Sequence, residues 1–415
     1  MMDLSRYKGH TFYIVGMARS GLSTLRALRA AGAIVFSWDD QDVDGIVRTP
    51  FNDVPYNELT AVILSPGVPK THPAAVRAIN EEVDLISDVE LAFRAGINAQ
   101  TIGITGTNGK STVTALTKHV LTALGESVVI AGNFGEPIFD VNDPGETGFI
   151  VLELSSYQLE LSPGYNLTTA CLLNISTDHL DRHKSMSSYA KAKANIFNRA
   201  QSGFVLGTDE WCQNIAQKSM AALIDPTSWP PLPDNPALVG NHQRQNCAAV
   251  LEMLKYLGFE HNEILTAMDT FPGLAHRQEV IGADKKWLFV NDSKATNPIS
   301  TAIALKAYTN IHWLAGGQGK DGGLDDLNDA LKRVEKAYLF GENASELADL
   351  CLMQNVPFRL FDTLAQATAT ALAESGGTLL LSPAAASWDQ YQNFSDRGEH
   401  FRRLIQTYFK DGAAQ

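Results

Sequence analysis

Short apolar runs alternate along the chain with longer helical stretches, the pattern of parallel strands covered by helices. Three sets can be separated. The first runs from Thr11–Val15 through Ile34–Phe36 to Ala61–Leu64 and closes near a helix over Asp88–Ala95. The second begins at Thr101–Ile104, continues through Val128–Ile130 and Phe149–Leu154, and takes in Ala170–Leu173. The third comprises Trp287–Val290, Ile311–Ala315, Ala337–Phe340 and Thr378–Leu381. The pattern predicts an α/β fold of three domains, bounded at 1–88, 89–272 and 273–415. Five prolines between Asp225 and Pro236 cannot sit in a helix interior or a central strand. That stretch reads as a surface excursion of the middle domain, and Phe271-Pro-Gly-Leu274 as the hinge into the third.

Length agrees with more than one core: 415 residues exceed what a single ordinary domain holds. A net charge of −13 with no Lys/Arg block excludes nucleic acid as the main partner, because phosphate backbones need a basic stripe. Small anions remain possible ligands. The four cysteines are scattered without a C-x-x-C pair, which points to a reducing compartment. No signal peptide and no apolar run of the ~20 residues that span a bilayer are visible. A cytoplasmic protein without membrane insertion is expected.

Between the strand-like Ile102–Thr105 and the helix opening at Lys110 lies Gly106-Thr107-Asn108-Gly109. Glycines let backbone N–H groups turn inward on an anion, and the helix start adds partial positive charge. Lys110 can reach the β- and γ-phosphates of ATP, while the hydroxyl of Ser111, followed by Thr112, suits Mg²⁺. The general phosphate-loop motif would place its first glycine at 104, where Ile104 stands. The shorter G-T-N-G-K-S-T carries the signal instead. A nucleotide site alone names no reaction, since pumps, switches, kinases and ligases all use one.

Joining a carboxylate to an amine requires an activated acyl group, cations to neutralise the moving phosphoryl group, and a held amine. Glu153 closes the run Phe149–Leu152 at the carboxyl end of a strand, where ligands of open α/β sheets collect. His179 lies in Asn174-Ile-Ser-Thr-Asp-His-Leu-Asp181. Both suit Mg²⁺, although imidazole is an uncommon ligand for so hard an ion. Read alone, each is more often a surface or capping residue. The helix Tyr189–Phe197 follows; its lysines read as solvated, and nothing in the pattern separates Lys193 from Lys191.

These segments resemble the Mur ligases, which extend the peptide stem of peptidoglycan. The resemblance is carried by G-I-T-G-T-N-G-K-S-T-V-T (103–114), A-G-N-F-G (131–135), V-L-E-L-S-S-Y-Q-L-E (151–160) and N-I-S-T-D-H-L-D-R-H (174–183). It continues in Y-A-K-A-K (189–193), G-L-A-H-R (273–277), N-D-S-K-A-T-N (291–297), G-G-Q-G-K (316–320) and L-S-P-A-A-A-S-W-D-Q-Y-Q-N-F (381–394). The loop fits any Mur or folylpolyglutamate-type ligase; the segments at 291–297 and 382–390 point to the glutamate-adding branch.

The resemblance implies an ATP- and Mg²⁺-dependent ligase joining D-glutamate to UDP-N-acetylmuramoyl-L-alanine through an acyl phosphate, working as a monomer. It implies phosphate contacts from Gly106, Thr107, Asn108, Gly109, Lys110, Ser111 and Thr112, and metal roles for Ser111, Glu153 and His179. Lys193 would be carbamylated by CO₂ and become an anionic metal ligand. Asn133, Asn246, His276 and Asp292 would meet adenine and ribose, and Arg277 and Lys294 would face phosphates. Thr296, Lys320, Ser387 and Phe394 would take the amino acid, with Lys320 pairing a glutamate carboxylate. The catalytic roles fall to Lys110, His179, Lys193 and Lys320. On composition alone Lys320 is a solvated loop lysine, His276-Arg277 a solubilising hinge pair, Ser387 a helix cap and Phe394 core. Departures are Gln243, where the family pattern has asparagine, the bulky Trp388 beside Ser387, and a shorter Pro-rich stretch.

In the first domain, Gly16-Met17-Ala18-Arg19-Ser20-Gly21 follows a strand as a G-x-A-x-x-G variant, and Asp39 ends the next strand. Such a turn holds a pyrophosphate at a helix start with an acid for a ribose, so an NAD-linked dehydrogenase is a rival reading. A phosphate-loop regulatory protein without ligase chemistry is another. The resemblance resolves the turn as a UDP site, with Arg19, Ser20, Asp39, Ser65 and Gly67 near the diphosphate and Asn133 and Ser155 joining from the middle domain. The expected architecture is an N-terminal Rossmann-like domain, a central P-loop ATPase domain on a mostly parallel sheet, and a C-terminal Rossmann-like domain.

Overall fold

The computed structural model describes residues 2–207, 209–225, 235–238, 240–319 and 323–412. Strands β1 (Thr11–Val15), β2 (Ile34–Trp38), β3 (Leu59–Leu64) and β4 (Leu85–Ile86) form a parallel sheet in the order β2-β1-β3-β4. Phe12, Tyr13, Ile14 and Val15 are all buried, because both faces of a parallel sheet are covered and its inner strands run continuously apolar. The turn after β1 depends on glycine. Gly16 has φ +94°, and a Cβ on Gly21 would lie 1.9 Å from the Gly16 carbonyl oxygen, so the helix Arg19–Ala30 starts hard against the strand end.

The second sheet is also parallel, in the order β10-β9-β8-β5-β7-β6. Its strands are β5 (Gln100–Thr105), β6 (Val128–Gly132), β7 (Phe149–Glu153), β8 (Thr169–Leu172), β9 (Gly203–Leu206) and β10 (Ala222–Ile224). β5 lies between β7 and β8, so the loop after β5 opens between the segments that follow those two strands. Ligands of open α/β sheets bind at such a carboxyl edge.

The third sheet holds β11 (Glu279–Ala283), β12 (Trp287–Asn291), β13 (Ile311–Gly316), β14 (Val334–Phe340), β15 (Phe358–Phe361) and β16 (Gly377–Leu381). Their order is β11-β12-β16-β13-β14-β15. β11 runs antiparallel to β12 while the remaining pairs are parallel. The first two sheets belong to one compact unit, Met1–Pro233 with Arg244–Thr270, and the third to another, Asp234–Gln243 with Phe271–Gln415.

Each apolar run forms a strand. The pattern missed β4, β9, β10 and β15, which are short, and the antiparallel β11, which is half-exposed and contains Gly282. The helix over 189–197 is an α-helix from Met186 to Ala194, capped by the Ser185 side chain, followed by a 3-10 turn over Asn195–Phe197. Of the Pro-rich excursion over 225–236, residues 226–234 lie outside the described residues, while Pro236–Leu238 form a 3-10 turn and Asn235 Nδ2 donates to Phe271 O at 2.8 Å. Among those described, no helix is long and apolar enough to cross a membrane.

Candidate active site

The phosphate loop links β5 to the helix Lys110–Ala123, with Gly106 at φ +156° and Gly109 at φ +86°. Only glycine tolerates these angles without strain. A Cβ on Gly109 would also fall 2.7 Å from Asn246 Oδ1. The segment after β8 braces the loop from one side. The Asn174 carbonyl accepts from Thr107 N at 2.9 Å, its Oδ1 accepts from Asn108 N at 2.8 Å, and its amide returns to Asn108 O at 3.0 Å.

Two lysines converge on the loop carbonyls. Lys110 Nζ donates to Gly106 O at 2.9 Å and Thr107 O at 2.8 Å. Lys193 Nζ donates to Gly106 O at 2.7 Å and lies 4.7 Å from the Tyr189 ring centroid. The expectation that both helix lysines are solvated is corrected here: Lys191 is exposed, but Lys193 is 2% exposed. Burial, reinforced by the Lys110 charge, holds the Lys193 pKa well below its ordinary value, because a low-dielectric site disfavours the charged form.

Glu153, at the end of β7, is buried beside the loop. Its Oε1 accepts from Asn133 Nδ2 at 2.6 Å, while Oε2 is buried without a partner among the described residues. The Thr112 hydroxyl is likewise buried and unpartnered, and Ser111 is 3% exposed. A buried carboxylate oxygen without a donor is costly, and a hard divalent cation would satisfy it, so these donors fit Mg²⁺. Among the described residues no three His, Cys, Asp or Glu side chains converge on one point, which leaves hydroxyls, modified groups and substrate oxygens to complete any shell.

His179 adopts left-handed backbone, φ 54°, at the start of the short helix Leu180–His183. A non-glycine residue held there signals local constraint. Its Nδ1 shares a hydrogen bond with Tyr157 Oη at 2.8 Å, and its ring is 45% exposed. Arg182, which sequence reasoning passed over, stacks on Tyr157 at 3.9 Å and donates to Pro66 O at 2.7 Å. It thereby joins the His179 segment to the Ser65-Pro66-Gly67 turn of the first sheet. Gln158 was also missed; its side-chain oxygen accepts from Ser155 N, and its own N–H donates to Ser155 Oγ, in a capping box.

In the first sheet, Asp39 closes the glycine turn, accepting from Met17 N at 2.6 Å and Gln41 N at 2.9 Å. Ser65 Oγ donates to Gly16 O at 2.7 Å. Ser20 lies in the first turn of the helix Arg19–Ala30. Arg19 reaches Glu136 at 3.4 Å across exposed surface, and Gly67 faces open space.

The second unit gathers a separate set. Asp292 accepts from Ser382 Oγ at 2.8 Å and Gln278 N at 3.1 Å, and burial pushes its pKa up to about 7. His276 is buried in left-handed backbone, φ 61°, with Asn291 on its Nδ1 at 3.0 Å, so it is no solvated hinge residue. Burial lowers its pKa. Arg277 acts electrostatically on Asp292. Lys294 N donates to His276 O, and Lys294 Nζ lies 5.4 Å from the Phe394 ring centroid. Thr296 N donates to Lys294 O. Ser387 is 2% exposed, and neighbouring Trp388 is 69% exposed. Gln243 is buried, its N–H bound to Gly240 O. Gln318 pairs with Ala386 through two backbone hydrogen bonds of 2.9 Å. Lys320 lies outside the described residues.

A phosphate loop flanked by a buried carboxylate, a buried amine and a histidine, with a second α/β unit downstream, defines the architecture of a nucleotide-dependent ligase. Family models agree: residues 104–228 match the Mur ligase middle domain and residues 276–385 the Mur ligase glutamate ligase domain. The chain is 36% identical to a UDP-N-acetylmuramoylalanine–D-glutamate ligase of Mesorhizobium japonicum, with 97% of each chain covered. It is 38% identical to the enzyme of the same name from Paramagnetospirillum magneticum over the full length of both. The fold is also that of the UDP-N-acetylmuramate-alanine ligase of Thermotoga maritima, with a TM-score of 0.62 at 17% identity, covering 97% and 99% of the two chains. The chain belongs to the Mur ligase family.

Proposed function

We propose that this chain is an ATP-dependent, ADP-forming ligase that adds D-glutamate to UDP-N-acetylmuramoyl-L-alanine in cytoplasmic peptidoglycan precursor synthesis. The observation that carries the chemistry is the buried set around Gly106: Lys110 and Lys193 on one carbonyl oxygen, with the unpartnered Glu153 Oε2 nearby in the same sheet edge. The choice of glutamate rests on the relatives of that name along the whole chain.

In this reading the loop N–H groups and Lys110 hold the β- and γ-phosphates in line with the acceptor carboxylate. Lys110 leaves its own loop carbonyls to do so. Ser111, Glu153 and His179 would hold Mg²⁺, which when bound neutralises charge on the transferring phosphoryl group. Burial disfavours the ammonium form of Lys193, which makes its electron pair more available to CO₂; the carbamate would be an anionic ligand. Asp39, Ser20, Ser65, Gly67, Asn133 and Ser155 would position the UDP substrate. Thr296, Lys320, Ser387 and Phe394 would hold D-glutamate so that its amine meets the acyl phosphate. Adenine and ribose fall to Asn246, His276 and Asp292, with Arg277 and Lys294 toward phosphates.

Phosphate release measured with UDP-N-acetylmuramoyl-L-alanine and a panel of D- and L-amino acids tests this. Release that requires both the UDP substrate and D-glutamate is expected. ATP hydrolysis indifferent to every amino acid would sink the ligase reading.

A further inference from the structure

Arg397 is fully buried at the start of the helix Phe394–Gly412. A cation in the first turn of a helix opposes the helix dipole, and burying a charge without a counter-charge is unfavourable. Both penalties call for a compensating role. Among the described residues, no carboxylate hydrogen-bonds to this guanidinium. The acid that bears on it electrostatically, Asp389, instead accepts the Glu342 N–H at 3.2 Å.

All five guanidinium donors are spent on three separate segments. Nε donates to Ser293 Oγ at 3.0 Å, and Nη2 to Ser293 O at 2.9 Å and Ala385 O at 3.0 Å. Nη1 donates to Gly316 O and Ala386 O, both at 3.3 Å. Ser293 Oγ passes the chain on to Phe394 O at 2.8 Å. The fit leaves no spare room: a Cβ on Gly317 would fall 3.0 Å from Nη1 and 2.1 Å from Ala386 O.

Peptide planarity turns these contacts into an orientation. Where a carbonyl points at Arg397, the N–H of the following residue points away from it. Four N–H groups are aimed in this way, those of Lys294, Gly317, Ala386 and Ser387. Three find acceptors: Lys294 N on His276 O, Gly317 N on Asn343 Oδ1 and Ala386 N on Gln318 O. The Ser387 N–H has no acceptor among the described residues. Arg397 therefore fixes a free backbone donor beside a buried serine and puts positive charge behind it.

We propose that Arg397 is a positioning residue of the amino-acid site, shaping the segments that carry Thr296 and Ser387 and favouring an amino acid with a side-chain carboxylate. This rests on the reading that the second unit receives D-glutamate. Burial lowers the guanidinium pKa only to about 10, so the charge is present at neutral pH.

The test compares Arg397→Lys and Arg397→Gln in the full-length enzyme by phosphate release. KM is measured for ATP, for the UDP substrate and for D-glutamate, with D-norvaline as the competitor lacking the side-chain carboxylate. Arg397→Lys keeps the charge and loses the fork; its KM for D-glutamate should rise about 10-fold, with the other two within about 2-fold. Arg397→Gln loses both, so its preference for D-glutamate over D-norvaline should fall by a further ~10-fold. A D-glutamate KM unchanged in Arg397→Lys, or three KM values rising together, would overturn the proposal. If Arg397→Gln does not fold, the Lys variant decides. Wild-type enzyme that ignores D-glutamate would instead overturn the underlying reading, so the two failures are separable.

Discussion

Two glycine-bearing loops leave strand ends in different sheets, and cations hold them in opposite ways. The loop after β5 has its cation at the mouth: the half-buried Lys110 donates to Gly106 O and Thr107 O, and the buried Lys193 amine shares Gly106 O. The loop after β13 has its cation at the back, where Arg397 engages Gly316 O from a buried position. A half-buried lysine is a point charge on a flexible stem and can swing to an arriving anion. A guanidinium with every donor committed cannot. Under the proposed function, the first loop would pass its lysine from its own carbonyls to the arriving phosphates, while the start of the second is held by Arg397 without a ligand.

The largest effect should come from removing the buried amine. Lys193→Met deletes the group that would carry the carbamate, and turnover should fall about 100-fold or more. Wild-type protein prepared in CO₂-depleted buffer should show the same loss, recovered on adding bicarbonate. A mass spectrum of CO₂-replete native protein lacking the adduct, together with undiminished turnover, would remove the carbamate.

Lys110→Ala sharpens the contrast more directly. It removes charge-assisted hydrogen bonds of roughly 1.5–3 kcal/mol each at the transition state, so turnover should drop at least ~10-fold. Melting should stay within about 1 °C of wild type, because a cation at a loop mouth contributes little to the fold. Arg397→Lys should do the reverse and lower the melting temperature. If Lys110→Ala melts as early as Arg397→Lys, the distinction between mouth and back is lost.

Gly109→Ala asks how far the first loop tolerates a side chain. Left-handed backbone costs an L-residue about 1–2 kcal/mol, and the new methyl would press on Asn246 Oδ1 at 2.7 Å. A fall of a few degrees in melting, with ATP affinity reduced more than UDP-substrate affinity, is expected. An unchanged melt would mean the loop re-forms around the methyl.

The two loops also differ in how readable they were. G-T-N-G-K-S-T is contiguous, and its meaning is local: glycines, then a lysine, then a helix. Glu153 could be placed because a strand's end is visible in one apolar run. Lys193 could not be told from Lys191, since only the packing of the helix Met186–Ala194 decides which one is buried. Arg397 is harder still. Its partners come from positions 293, 316, 385 and 386 and are mostly backbone carbonyls, which carry no side-chain signature. The missed strands share that cause: β10 spans only Ala222–Ile224, and β11 pairs antiparallel, facts that long-range pairing fixes and local pattern does not.

The smallest expected effect concerns the other buried charge near the second loop. Asp292 has two hydrogen-bond donors where Arg397 has five acceptors, so its ionised form is the less well compensated. Its pKa is raised to about 7 in the folded protein, against roughly 3.9 when unfolded. Between those values the folded chain holds a proton that the unfolded chain has released, so stability falls as pH rises through this window and levels off above it. Asp292→Asn carries no such charge. Measured without nucleotide, its melting temperature relative to wild type should climb by about 2–4 °C from pH 4 to pH 7 and then stay flat. A difference that is constant with pH would show that Ser382, Gln278 and Arg277 compensate the carboxylate as fully as the carbonyl cage compensates Arg397.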